Sequence, residues 1–151
     1  MLDELTELLD SAIYKEIASQ ATYKAAERQS QDPAVKELLK ELAKEEQGHS
    51  QRLKKLKEQG LTKREGPEEQ VPNLKLSEYL TGGDRLEGAG LQDTLIFAMK
   101  REQQAVEFYS RMMSLMREET AKNLCADLAH EELKHKLRLE RLYDDLFYGE
   151  S

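Results

Sequence analysis

Cysteine occurs once in the 151 residues, at Cys125, and tryptophan does not occur at all. A single thiol excludes an internal disulfide and any CxxC metal knuckle, and it fits a reducing compartment. No apolar run approaches the roughly 18 residues a membrane helix requires. The N-terminal MLDELTELLD is acidic and amphipathic. Neither a signal peptide nor a membrane span is therefore predicted, and the cytoplasm is the expected compartment. Positive charge is in deficit, with 23 Lys and Arg against 30 Asp and Glu and a net charge of −7. That balance argues against nucleic acid or an anionic membrane as a partner.

Proline is also scarce (3 residues) and aromatics reach only 6%, whereas charged residues make up 35%. A chain rich in Ala, Glu, Lys, Leu and Arg with little β-branching leans all-α. Its length suits one domain with a real core, taken as 1–151. Apolar residues recur at helical spacing from Leu2 to about Ser30 (Leu5, Leu8/Leu9, Ala12/Ile13, Ile17, Tyr23). Asp32-Pro33 reads as an N-cap followed by proline at the first helical position. A second helix then runs through Val35, Leu38/Leu39, Leu42, Leu53 and Leu56 until Gly60 stops it. A third helix spans about 91–117 and a fourth about 119–147, the latter carrying Leu124, Leu128, Leu139, Leu142 and Leu146. Between them, about 60–90 breaks the pattern with Gly66-Pro67, Pro72 and Gly82-Gly83, leaving one short helix near Ser77–Leu80. Two tight hairpins and one long connection predict a four-helix bundle with a single crossover. Leu74, Leu76, Tyr79 and Leu80 suggest that the crossover packs on the bundle.

The chain repeats itself. A shift of 86 lays residues 35–56 on 121–142 with ten of 22 positions identical, among them Leu42/Leu128, Glu46/Glu132, His49/His135 and Leu53/Leu139. The same shift pairs Leu9 with Leu95, Ala12 with Ala98, Glu16 with Glu102 and Tyr23 with Tyr109. One helical hairpin is used twice.

Six polar residues sit on the apolar stripes. Glu16 follows Ala12 by four, Glu46 follows Leu42 by four and His49 precedes Leu53 by four. Glu102, Glu132 and His135 repeat these relations against Ala98, Leu128 and Leu139. Residues three or four apart share a helix face, so all six point where the leucines point. Glu16 lies about 15 residues before the first turn and Glu46 about 15 after it. At ~1.5 Å per residue both sit about 22 Å from the turn. Four glutamates and two histidines are therefore expected to meet near mid-bundle. Unpartnered buried acids cost several kcal/mol each or else take up protons. No Lys or Arg falls on these stripes at that level, so two divalent cations are the expected counter-charge. Oxygen-rich ligation with one histidine per ion suits iron or manganese. The alternative is a mutual hydrogen-bond network without metal. His130, three after Asp127, falls beside the stripe and reads as a surface residue.

Glu16, Glu46-x-x-His49, Glu102 and Glu132-x-x-His135 resemble the rubrerythrin branch of the ferritin-like di-iron carboxylate proteins, whose bundles are known for this ligand pattern. The likeness covers 2–58 and 91–147. It implies a ferritin-like bundle holding two iron ions, with manganese or zinc as alternatives. Glu46 and Glu132 would bridge, Glu16 and Glu102 would be terminal, and His49 and His135 would serve one ion each. It also implies that Tyr23 and Tyr109 hydrogen-bond ligand carboxylates. The implied activity is that of an oxidoreductase reacting with peroxide or O₂. A non-catalytic iron or divalent-metal binding or delivery protein is the second reading, and a structural bundle with an empty or zinc site the third.

Two departures from the family pattern stand out. The C-terminal rubredoxin-like iron site, with its two CxxC pairs, has no counterpart up to Ser151, so an enzyme would need a separate electron-donor protein. The additional glutamate three residues after the third helix's first ligand is Ala105 here, and its repeat counterpart is Ser19.

Of the remaining residues, Cys125 and the methionines read as core. Glu45 and Glu131, which recur next to the six, read as solvent-facing partners for Lys or Arg one turn away, with a role as alternative carboxylates of the site as the second reading. Leu133, Leu137, Phe147 and Tyr148 lie outside the main stripe and suggest a second buried surface, hence a homodimer.

Overall fold

The computed structural model describes residues 4–59 and 90–148. Four helices fill nearly all of that length: α1 (Glu4–Gln29), α2 (Pro33–Glu58), α3 (Leu91–Leu115) and α4 (Glu119–Phe147). The start of α2 follows from its sequence. The Asp32 carboxylate accepts from the Ala34 amide at 2.8 Å, and Pro33 occupies the first turn, where an amide hydrogen would have no partner. The expected crossover at about 60–90, including the short helix near Ser77–Leu80 and the packing of Leu74, Leu76, Tyr79 and Leu80, lies outside the described residues apart from Gly90.

All adjacent helices run antiparallel. Lys36 reaches the Glu27 carbonyl near the first turn, and Lys57 pairs with Asp10 at the far end, so α1 and α2 form a hairpin. Gln92 bonding Tyr143 joins α3 to α4 in the same sense. Across the hairpins, Tyr23 meets Glu102 and Tyr109 meets Glu16, which sets α1 against α3. Arg52 with Glu131 and Arg138 with Glu45 set α2 against α4. The end of α2 and the start of α3 therefore lie at opposite ends of the bundle. This is the ferritin-like arrangement of two repeated hairpins with one crossover. No helix among the described residues is long and apolar enough to cross a membrane.

The apolar core comes in two parts. Leu5, Leu9, Ala12, Leu53, Tyr109, Met112, Cys125 and Leu128 fill one end. Tyr23, Leu39, Leu42, Leu95, Ala98 and Leu139 fill the other. The repeat explains the split. Leu9 and Leu95, Ala12 and Ala98, Tyr23 and Tyr109, Leu42 and Leu128, and Leu53 and Leu139 each place one member in either half. A pseudo-twofold axis thus crosses the bundle at mid-height, between the two dry halves. Cys125 is fully buried and His130 is exposed.

Two stripe positions depart from the expectation. Ile17 is 48% exposed and Leu146 is 38% exposed. Ile17 follows Glu16 directly, and the ~100° turn per residue that carries Glu16 inward carries Ile17 out. Leu146 lies in the last turn of α4, among residues that are exposed throughout.

Leu128→Ala, at a position with no solvent exposure, is expected to lose about 2–5 kcal/mol in urea denaturation. Asp32→Ala removes only a cap and is expected to lose about 1 kcal/mol.

Candidate metal centre

Each helix delivers its polar residues to the layer between the two cores: Glu16 from α1, Glu46 and His49 from α2, Glu102 from α3, Glu132 and His135 from α4. None is more than 2% exposed. In α2 and α4 the i, i+3 spacing turns carboxylate and imidazole toward one point. His49 Nδ1 lies 3.3 Å from Glu16 Oε1, 3.3 Å from Glu46 Oε1 and 3.5 Å from Glu132 Oε1. His135 Nδ1 lies 3.0 Å from Glu46 Oε1, 3.2 Å from Glu102 Oε2 and 3.3 Å from Glu132 Oε1. The two rings stack at 5.7 Å, 11° from parallel.

Two overlapping groups result, Glu16, Glu46, His49 and Glu132, and Glu46, Glu102, Glu132 and His135. In each, the ligand atoms lie within 4.8 Å of one another. Glu46 and Glu132 belong to both.

The chemistry of the donors fits metal ions. Both oxygens of Glu46 and Oε1 of Glu132 are buried and accept no well-aligned hydrogen bond. Lone pairs left so in a dry layer are costly, and a cation would satisfy them. The set of carboxylates with one imidazole per group suits a divalent ion such as iron, manganese or zinc. Outer partners orient the donors in matched pairs. The Tyr23 hydroxyl donates to Glu102 and the Tyr109 hydroxyl to Glu16. Burial, then the nearby carboxylates, raises both phenols well above their usual range, so they stay neutral donors.

Glu45 and Glu131 differ from the sequence reading, which gives them partners on their own helix. They are about one-third exposed and turn to the facing helix. His49 Nε2 meets Glu131 at 2.8 Å, and Arg52 holds that carboxylate at 3.0 Å. His135 Nε2 meets Glu45 at 2.8 Å, and Arg138 holds it at 3.4 Å. A carboxylate behind the imidazole fixes the tautomer that leaves Nδ1 for a metal. The recurrence of Glu45 and Glu131 in the repeat was the available signal.

The expectation that no basic residue reaches this level is overturned by Lys15. Its side chain is 1% exposed. Nζ lies 3.2 Å from Glu16 Oε2 and 3.3 Å from Glu132 Oε2, and 5.0 Å from the centre of the Tyr109 ring. Lys15 sits one residue off the stripe, but its four-carbon stem lies along apolar surface and brings the ammonium inward.

The electrostatics follow from this crowding. Burial and then Glu132 raise the Glu46 carboxyl well above the usual range. The same two causes push Glu102 up to about 7. Burial also acts to raise Glu132, but Lys15 and the histidines outweigh it and hold that carboxyl well below the usual range. Burial would lower Lys15, yet Glu16 and Glu132 outweigh it and raise the ammonium. His49 is likewise lowered by burial and raised more by Glu16 and Glu46, to about 11, and His135 is raised in the same way.

Chelator-treated protein should therefore melt at progressively lower temperature as pH rises from 5 to 8. Glu102 keeps its proton in the folded chain from its ordinary range up to about 7, so folding loses stability across that interval. His49 stabilises fully below its ordinary value near 6.5 and loses that contribution as pH climbs toward 11. Glu132 works the other way, but only below its ordinary value of 4.5, under this window. A melting temperature that rises between pH 5 and 8 would contradict this assignment.

The comparisons with known proteins agree with the geometry. A solved structure titled "Hypothetical Protein Pfu-1136390-001 From Pyrococcus furiosus" is 30% identical, with a TM-score of 0.74, over 97% of this chain and 92% of that one. No curated protein matches. The rubrerythrin family model matches residues 7–143, spanning all four helices and every residue of the buried layer, and the chain belongs to the rubrerythrin family.

Proposed function

We propose that the chain is a di-iron carboxylate oxidoreductase that reduces peroxide or O₂ in the middle of its bundle. The observation that carries this is the pair of overlapping donor groups sharing Glu46 and Glu132, in which three buried carboxylate oxygens accept no well-aligned hydrogen bond and would be satisfied by cations. Two ferrous ions there would supply the two electrons that reduce peroxide to water, or half of the four that O₂ requires, and a separate donor protein would supply the rest and replenish the iron. Glu46 and Glu132 would span both ions, Glu16 and His49 would serve one, and Glu102 and His135 the other. Tyr23 and Tyr109 hold Glu102 and Glu16 in place through their hydroxyls. The leucines above and below keep bulk water from the layer, which strengthens each electrostatic contact within it. A cleft of about 380 Å³, lined by Glu45, Asp127, Glu131, His135 and Arg138, borders the layer on the His135 side and has the volume to admit a small oxidant. A cytoplasmic setting belongs to the same reading.

The second reading is a protein that holds or delivers iron, or another divalent metal, without turnover. It is favoured by Ala105, buried in the core where the family resemblance implies a further glutamate. The third, a structural bundle, applies if the layer takes up only zinc or nothing.

Metal analysis of the purified chain is expected to find close to two iron or manganese ions. Anaerobically reduced, iron-loaded protein is expected to be oxidised rapidly by peroxide, and Glu46→Ala or His135→Ala to abolish this. Unchanged peroxide reactivity in those variants would sink the enzyme reading. Oxidation that stops after one equivalent under every reductant would select the second.

A homodimer that covers Leu137 and Tyr148, which are 54% and 72% exposed, is part of the proposal. Sedimentation equilibrium should give twice the chain mass, and Leu137→Lys should shift it toward the monomer.

A further inference from the structure

Most of the buried layer obeys the pseudo-twofold axis. Tyr23 on Glu102 mirrors Tyr109 on Glu16, and the His49–Glu131–Arg52 chain mirrors His135–Glu45–Arg138. Lys15 breaks the rule. Its ammonium holds Oε2 of Glu132 at 3.3 Å, while Glu46, the repeat counterpart of Glu132, accepts no well-aligned hydrogen bond on either oxygen. The residue at the mirrored position is Arg101, whose guanidinium lies 5.4 Å from the centre of the Phe97 ring. Arg101 is buried too, so both mirrored positions hold a cation, and the asymmetry is one of contact: Lys15 takes Oε2 of Glu132, whereas neither oxygen of Glu46 accepts a well-aligned hydrogen bond.

The Lys15 ammonium is placed unevenly with respect to the two donor groups. Lys15 touches two of the three carboxylates in the group with His49, Glu16 and Glu132. In the group with His135 it touches only the shared Glu132. In both contacts Nζ takes Oε2, while Oε1 of Glu16 and of Glu132 faces the imidazoles. Lys15 thus leaves oxygens available to a metal, yet it withdraws negative charge and repels a nearby cation. The charge count points the same way. Four carboxylates, the Lys15 ammonium and the buried Arg101 guanidinium leave −2. A first divalent ion brings the layer to neutrality, whereas a second carries it past neutrality to +2. In a dry site, that second step is the unfavourable one.

Resting on the di-metal reading above, we propose that Lys15 makes the two cation positions unequal. The position formed by Glu46, Glu102, Glu132 and His135 fills first and holds its ion about tenfold more tightly, or better, than the position formed by Glu16, Glu46, His49 and Glu132. The second position is the exchangeable one. Lys15 acts through charge alone and is not itself a ligand.

Anaerobic titration of chelator-treated full-length chain with Co(II), followed by visible absorption and by competition with a chelator, tests this. Wild-type protein is expected to bind in two steps, about tenfold or more apart. His135→Ala should lose the tight step and His49→Ala the weak one. Lys15→Met should bring the steps together by tightening the weaker, while Lys15→Arg, which keeps the charge, should leave them apart. The histidine variants keep Lys15, so they decide the order of filling even if Lys15→Met does not fold without metal. Loss of the tight step in His49→Ala, or an unchanged separation in Lys15→Met, overturns the inference. Two equal sites in the wild type also overturn it and leave the di-metal reading standing. No cobalt bound by the wild type overturns both.

Discussion

The repulsion among four carboxylates enclosed between two apolar layers governs the rest of the structure. Separated charges in water interact weakly, but at the short distances and low polarity of this layer each pair is worth several kcal/mol. Glu16, Glu46, Glu102 and Glu132 cannot all be ionised there without counter-charge. Lys15, two raised imidazoles and protons retained on Glu46 and Glu102 meet that demand in part. Metal ions would meet it more fully. The same demand accounts for the tyrosine hydroxyls aimed at Glu16 and Glu102 and for the Glu–Arg pairs behind the histidines.

Packing provides the stability that this layer consumes. The core is two apolar plugs rather than one, and each is completed by residues from all four helices. Neither hairpin closes a plug by itself. The helices are joined at their ends by leucines and at their centre by groups that would rather be hydrated. A bundle built this way is rigid above and below its chemistry, which holds the donor atoms within 4.8 Å of one another without relying on loops.

The fold and the six central residues were legible because two regularities coincided. Leucines at helical spacing fixed the inward face, and the repeat placed Glu46, His49, Glu132 and His135 on it twice. A lone Glu-x-x-His in so acidic a chain would have meant little. Lys15 was not legible for a physical reason. Periodicity reports where a Cβ points, and a lysine ammonium lies beyond it at the far end of a flexible stem. Glu45 and Glu131 recurred visibly, but their partners lie across the bundle, and sequence spacing along one helix carries no information about that. Ile17 was read as core because it is apolar and near the stripe, although its neighbour Glu16 takes the inward position.

The pseudo-twofold axis has a consequence for how such a site can change over time. Two identical hairpins associating around that axis would build the same layer of glutamates and histidines, but every feature would come in duplicate. A contact such as that of Lys15 with Glu16 and Glu132 would necessarily appear at both donor groups. Joining both hairpins in one polypeptide removes that restriction, because positions 15 and 101 can then differ. Here they do, as Lys and Arg with different neighbours. Covalent linkage of the halves thus permits a division of labour between the two donor groups that a symmetric assembly could never have evolved.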